Sequence, residues 1–427
     1  MKFSKMRTPT VVAGAIALGL TLSACGGGLG GSGSSGGSGD SGSDGNVTLS
    51  FLVNSGETNE AQAKAVVDAF QKENPAIKIE TSTRPGGTEG DNLIKTKLAT
   101  GEMEDMFQYD SGSLLQALNP DQSLVNVADQ EYMGKLDENF KTAVGTANGT
   151  YGVPWNSSMA GGILYNKDIY AELGLKVPTT WDEFISNSQK IKDSGKAAPI
   201  VASFGDGWTS QLWILADFYN VSAQNPDWAQ QYTDNKVNFS TEPAFTGFEN
   251  LEAVGKSGLF NTDFASATYD DAIKMLADGT GAQYPMLTLA VQNLQQNYPD
   301  ALSKIGIFPM PGTNAADNGL TVWEPNAVYV SKAAEGAELE AAKKFQAFLA
   351  TPAACDAVQA SAGATGPFVV EGCTLPADAP AMVADQQPFF DAGKTGLALE
   401  FLSPIKGPAL EQIAVSVGSG ITTAVDG

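Results

Sequence analysis

The chain has 427 residues, 48 acidic against 25 basic, for a net charge of −23. So acidic a body repels nucleic acid and anionic lipid, and no nucleic-acid partner is expected. It contains no histidine, which removes Ser-His-Asp and Cys-His catalysis and most zinc sites; neither a metal nor a cofactor is expected.

The first 24 residues carry Lys2, Lys5 and Arg7, an apolar run from Val11 to Leu22, and then Leu22-Ser23-Ala24-Cys25, the three-part layout of a secretory signal. The run is too short to span a bilayer, which takes roughly 20 apolar residues. The box resembles the bacterial lipoprotein signal. That resemblance implies cleavage before Cys25 and acylation of its thiol, with palmitate among the chains, and places the protein on the extracellular face of the bacterial cell membrane. An ordinary secretory signal with an incidental cysteine is the alternative. Removing residues 1–24 takes the net charge from −23 to −26, since the segment has three basic and no acidic residues. Residues 25–46, rich in glycine and serine, form a tether with a root-mean-square reach of roughly 25 Å.

The alternating Val47–Val53 predicts a strand. A helix follows over Asn59–Glu73, with Ala63, Val66, Val67 and Phe70 on one face and Pro75 beyond its end. Strand Ile77–Thr81, helix Asn92–Thr100 ending at Gly101, and strand Asp105–Tyr109 complete a βαβαβ order, hence an α/β sheet with parallel pairs. Past Gly152-Val-Pro154 the pattern restarts, with strand Gly161–Tyr165 and helix Lys167–Leu173. Thr180 and Glu183 are spaced as a capping box for a helix to Asp193, stopped by Gly195. Further strands are expected at Ala198–Ser203, Ala282–Met286, Lys304–Phe308 and Ala327–Val330, and helices at 242–256, 268–278 and 337–350. Trp181 and Trp213 fall at periodic apolar helix positions and are assigned to the core. The roughly 380 residues past the tether exceed one core, so two lobes are expected. With Cys25 acylated, Cys355 and Cys373 read as one disulfide worth about 3 kcal/mol, or as two buried thiols.

Several stretches carry a resemblance: Gly152-Val-Pro-Trp155, Leu164-Tyr-Asn-Lys-Asp168, Pro178-Thr-Thr-Trp-Asp-Glu-Phe184, and the segments 301–312 and 341–355. In this order and spacing they resemble the extracellular solute-binding proteins of ABC sugar importers, the group containing the maltose-binding protein, over nearly all of residues 47–427. The resemblance implies a periplasmic-binding-protein-like fold, two α/β lobes that close on a ligand like a hinged trap. Lobe 1 would be 47–153 plus 307–348, and lobe 2 would be 154–306 plus 349–427. It implies a monomer with a carbohydrate ligand and an ABC permease as partners. Similar members continue past the helix expected to end near Thr423, so a further packing element is expected beyond Gly427.

Sugars are held by aromatic faces and by planar hydrogen-bonding side chains, and strand ends face the cleft in open α/β sheets. Glu57 follows the first strand, Arg84 the second, and Tyr109 and Asp110 end the third; the similar position in the family supplies a carboxylate that accepts two sugar hydroxyls. Trp155 and Asn156 lie at the first crossing between lobes. Trp208 sits in a glycine-rich loop as a stacking platform. Tyr284 lies in the segment that gives the family a stacking residue, and Trp323 and Glu324 follow in a later loop. The competing roles are helix capping for Asp110, a solvated surface for Arg84, a core plug for Trp208, and hinge packing for Trp323 and Glu324. The rival functions are a secreted glycoside hydrolase, for which no carboxylate pair is marked, and a receptor for a peptide or polyamine. The number of aromatics favours two or more sugar rings.

Overall fold

The computed structural model describes residues 46–405 and 409–427. The signal, Cys25 and all but the last residue of the tether lie outside the described residues. Among the described residues no helix is long and apolar enough to cross a membrane.

Two five-stranded sheets organise the chain. In the first, β1 (Val47–Asn54) pairs in parallel with β2 (Ile77–Arg84) on one side and with β3 (Met106–Tyr109) on the other. Ala327–Val330 then runs antiparallel to β3 and to Gly152–Pro154 at the far edge. Leu49, Phe51, Leu52 and Val53 are all buried, as expected of a strand covered on both faces by crossover helices. The helix α1 (Glu57–Glu73) turns Ala63, Val66, Val67 and Phe70 into this core.

The second sheet is centred on Met159–Asn166. One edge of that strand pairs with Gln283–Leu287, and the other with Ile305–Phe308 and Leu320–Trp323 placed end to end; Thr395–Leu397 closes the outer edge. The expected strand Ala198–Ser203 is corrected to isolated bridges. Its amides donate alternately to Thr280, Leu259 and Gln283, so no single neighbour builds a ladder. The capping box expected at Thr180 is displaced by one residue. Thr180 accepts the Glu183 amide, but the Glu183 carboxylate accepts from the amide and hydroxyl of Thr179. A complete box forms instead between Thr268 and Asp271.

Each sheet has its own core. One gathers residues from 49 to 155, 327 to 358, and 369 to 370; the other gathers 160 to 323, Ala364, and 382 to 424. The expected return to lobe 1 at residue 307 is therefore corrected. Met159–Asn166 needs partners along its second edge, and Ile305–Phe308 and Leu320–Trp323 supply them, so the chain re-enters the first sheet only at Ala327. The expected exit at 348 is too early: the helix Pro352–Ser361 stays in lobe 1, burying Ala354, Cys355 and Val358. Cys355 is bonded to Cys373, tying that helix to the strip that leaves the lobe. The crossings are laced together. Ser158 donates its amide and hydroxyl to the Pro367 carbonyl, and the Thr365 amide donates to the Ser157 hydroxyl.

Candidate functional site

The register of the first sheet decides which residues share its rim. Asn54 lies beside Arg84, and Ala327 lies between Tyr109 and Pro154. The parallel strands thus deliver Asn54, Arg84, Tyr109 and Asp110 to one edge, next to the crossings at Trp155 and at Glu324–Asn326. This is the carboxyl end of the strands, where open α/β sheets bind ligands.

Arg84 is buried there, with its guanidinium 5.2 Å from the centre of the Tyr109 ring and one Nη donating to the Pro85 carbonyl. Burial lowers its pKa, and Asp110, Tyr109 and Asp91 pull the other way; a guanidinium stays protonated throughout. Gly90 makes the room, because a Cβ there would stand 2.5 Å from an Arg84 Nη and 1.9 Å from the Pro85 oxygen. Burial and the neighbouring Asp91 carboxylate push the Tyr109 hydroxyl well above its ordinary pKa. Asp110 is half-buried. Its backbone carbonyl accepts from the Tyr329 hydroxyl, and the next residue, Ser111, donates to the Pro325 carbonyl. The loop after β3 is thereby clamped to the second crossing.

Three expected contact residues are corrected to core positions, the first being Tyr109, which is 0% exposed with its ring beneath the Arg84 guanidinium. Trp155 is 1% exposed and stands edge-on to Phe51 at 5.3 Å. Its backbone is fixed by Asn326 and by the Gln62 side chain, so the ring hangs inward beneath the rim. Tyr284 is 2% exposed, and its hydroxyl pairs with Ser203 at 2.6 Å inside the second core. Its strand is covered on both faces, so no side of it offers a stacking surface. Glu324 is buried at the crossing, with Oε2 lacking a hydrogen-bond partner, and burial, reinforced by Asp137, pushes its carboxyl up to about 8. Asn156 beside the first crossing likewise holds a buried, unpartnered Oδ1.

Glu57 opens α1 and is exposed. It faces lobe 2 across a gap of about 540 Å³, lined on the far side by Tyr269, Leu289 and Gln292 and on the near side also by Thr58 and Ser361. On the lobe 2 rim Trp208 is 37% exposed, and its ring rests on Tyr269 at 5.5 Å. Tyr269 is fixed by its amide, which donates to Asp206 at 2.7 Å. The sequence reading missed Tyr269. Its signal was its place directly after the Thr268 cap, which puts an aromatic ring on the first turn of a helix.

Trp323 ends an inner strand of the lobe 2 sheet and is buried, 7% exposed. Gly161 accommodates its ring, since a Cβ there would meet the ring at 2.5 Å. Beyond Trp323 a pocket of about 300 Å³ is lined by Tyr232, Phe239, Leu399, Gln211 and Glu400. The Glu400–Phe401 segment reaches across to lobe 1 and occupies the space a side chain on Gly112 would need. Among the described residues no group of acidic or cysteine side chains is gathered as for a metal ion. The arrangement offers the exposed Trp208 ring on the half-buried Tyr269 on one lobe, charged and amide groups on the other, and a gap between the lobes.

Residues 54–354 match the family described as bacterial extracellular solute-binding protein. The chain is 27% identical over 311 residues to the multiple sugar-binding protein of Streptococcus mutans, covering 71% of each chain. It is 25% identical over 289 residues to the melibiose/raffinose/stachyose-binding protein MelE of Bacillus subtilis, covering 67% of this chain and 66% of that one. The apo form of RafE from Streptococcus pneumoniae has the same fold, with a TM-score of 0.72 at 19% identity, over 89% of this chain and 99% of that one. The chain belongs to the family of bacterial extracellular solute-binding proteins.

Proposed function

We propose that the chain is a lipid-anchored extracellular receptor that captures an oligosaccharide between its lobes and delivers it to an ABC import permease. The observation that carries this reading is the exposed Trp208 ring resting on Tyr269, whose half-buried ring lines the gap that Glu57 of the other lobe also lines. A sugar ring presents an apolar face and a girdle of hydroxyls; the aromatic rim suits the first, and Asp110, Asn156 and Glu57 suit the second. The sugar-binding relatives support the same ligand class. A ligand that touches both rims only when the lobes are together favours closure by that difference alone. The reading assigns the chain no catalysis: the oligosaccharide is held and released intact.

Thermal unfolding of the purified chain against melibiose, raffinose and stachyose tests the reading. A bound sugar at 100 times its Kd stabilises by about 2.7 kcal/mol, and small-angle scattering should record compaction. A panel of such sugars without effect on either measurement overturns it, and shortened saccharides after incubation would show an enzyme. For the anchor, Cys25→Ala should move the protein from the membrane fraction to the medium.

A further inference from the structure

We infer that the pocket behind Trp323 is a second sugar subsite, one that holds the terminal pyranose ring of an oligosaccharide whose inner rings lie on Trp208. The inference rests on the carbohydrate reading above and adds to it a basis for selecting chain length.

The walls of the pocket are rings held in place before any ligand arrives. Tyr232 stacks on the fully buried Trp228, with centroids 5.0 Å apart and planes 14° from parallel, and Phe239 meets Tyr232 edge-on at 5.5 Å. Trp323 is fixed from behind by the bare Gly161. Leu399 and Ile405 complete an apolar interior. Gln211 and Glu400 are its polar lining. Flat apolar walls with a few polar groups match a pyranose ring, whose faces carry C–H groups and whose edge carries hydroxyls. A polyamine would need several carboxylates along its length, and among the described residues the lining supplies one, Glu400. A volume of about 300 Å³ lies at the small end of ligand pockets and suits one ring rather than a chain of them.

The walls of the pocket adjoin the cleft rim. Gln211 donates from its side chain to the Trp208 carbonyl at 3.3 Å, so one short turn carries both the platform and a wall of the pocket. On the opposite side Glu400 and Phe401 abut Gly112, two residues past Asp110. A ligand that reaches from Trp208 into the pocket therefore passes along the junction of the two lobes. A ring more or less at that end changes affinity through the pocket alone.

Calorimetric titration of the full chain with stachyose, raffinose, melibiose and galactose tests this. Ile405→Trp fills the pocket from its exposed edge, where Ile405 is 39% accessible and burdens no core. Tighter binding of stachyose than of melibiose is expected in the parent. Ile405→Trp should weaken stachyose tenfold or more and leave melibiose within twofold. Glu400→Gln, a near-isosteric change in the pocket lining, should weaken stachyose fivefold or more with the same discrimination, and it decides the matter if Ile405→Trp fails to fold. If the sugars bind and neither folded variant alters the ratio between long and short ligands, the subsite is wrong while the receptor reading stands. If none of the four sugars binds, both fall.

Discussion

The two rims of the cleft are built by different physics. On lobe 1, strand register brings Asn54, Arg84, Tyr109 and Asp110 together, and buried hydrogen bonds to the crossings hold them. On lobe 2, the rim is assembled from Trp208, Tyr269, Trp323 and the segment around Glu400, four stretches far apart in sequence joined by packed rings and a few hydrogen bonds between loops and strand ends. A rim set by a sheet is rigid and polar. A rim set by packed rings can change shape with a few side chains, so ligand selectivity should reside mostly on lobe 2.

The largest expected difference between the lobes is in stability. Only lobe 1 carries a disulfide, Cys355–Cys373, closing a separation of 18 residues. Cys355→Ser with Cys373→Ser should cost about 3 kcal/mol, read as a fall in the denaturation midpoint. Reductant should reproduce that fall in the parent and have no effect on the variant. Next is the ring on lobe 2. Trp208→Ala should reduce oligosaccharide affinity about 100-fold, or ~2.7 kcal/mol, with little change in Tm because the side chain is 37% exposed. Equal binding by this variant would remove the lobe 2 rim from the site.

A smaller effect separates the crossing from the lobe interior. Burial pushes the Glu324 carboxyl from an ordinary 4.5 up to about 8, with Asp137 reinforcing it. Burial pushes Asp217 inside lobe 2 from 3.8 up to about 7, partly offset by the Asn220 side chain donating at 2.6 Å. Below the ordinary values both groups are protonated whether folded or unfolded, and their contribution is fully present. Between ordinary and folded values the unfolded chain has lost a proton that the folded chain keeps, so stability falls as pH rises, by at most about 1.4 kcal/mol per pH unit for each group. Glu324→Gln should flatten the stability curve between pH 4.5 and 8, and Asp217→Asn between 3.8 and 7. Chemical denaturation across that range checks both.

The asymmetry also governs what the amino-acid order revealed. The strands β1, β2 and β3 were legible from alternating or short apolar stretches that each stand beside a helix-period segment, and their exits located Arg84 and Asp110 at one rim. Trp155 and Trp208 looked alike in sequence, each beside glycine or proline in an irregular stretch. Their exposures, 1% and 37%, differ because one ring falls on the Phe51 side of a sheet and the other on the outside of a turn. Tyr232 and Glu400 carried no local sign, since what makes them neighbours is a fold that joins segments some 170 residues apart. The return of the chain at Ala327 rather than 307 was hidden for the same reason: an apolar strand does not say which sheet it joins.

The contact where the rims touch gives the smallest and most specific comparison. Gly112 has φ 69° and sits against the Glu400 carbonyl and the Phe401 ring, at 2.8 and 2.7 Å from where a Cβ would stand. Gly56, at the start of α1, has φ 117°, and a Cβ there would meet nothing nearer than the Asn59 amide nitrogen at 3.6 Å. Alanine at either position carries backbone strain of about 1 kcal/mol or somewhat more. Only at 112 must the methyl also displace the segment from the other lobe. Gly112→Ala should therefore raise the radius of gyration in small-angle scattering and weaken oligosaccharide binding several-fold, while Gly56→Ala lowers Tm without expanding the molecule. Equal expansion in both variants would assign the effect to strain within lobe 1; expansion at 112 alone would identify the Glu400–Phe401 segment as the contact that sets how far apart the lobes stand.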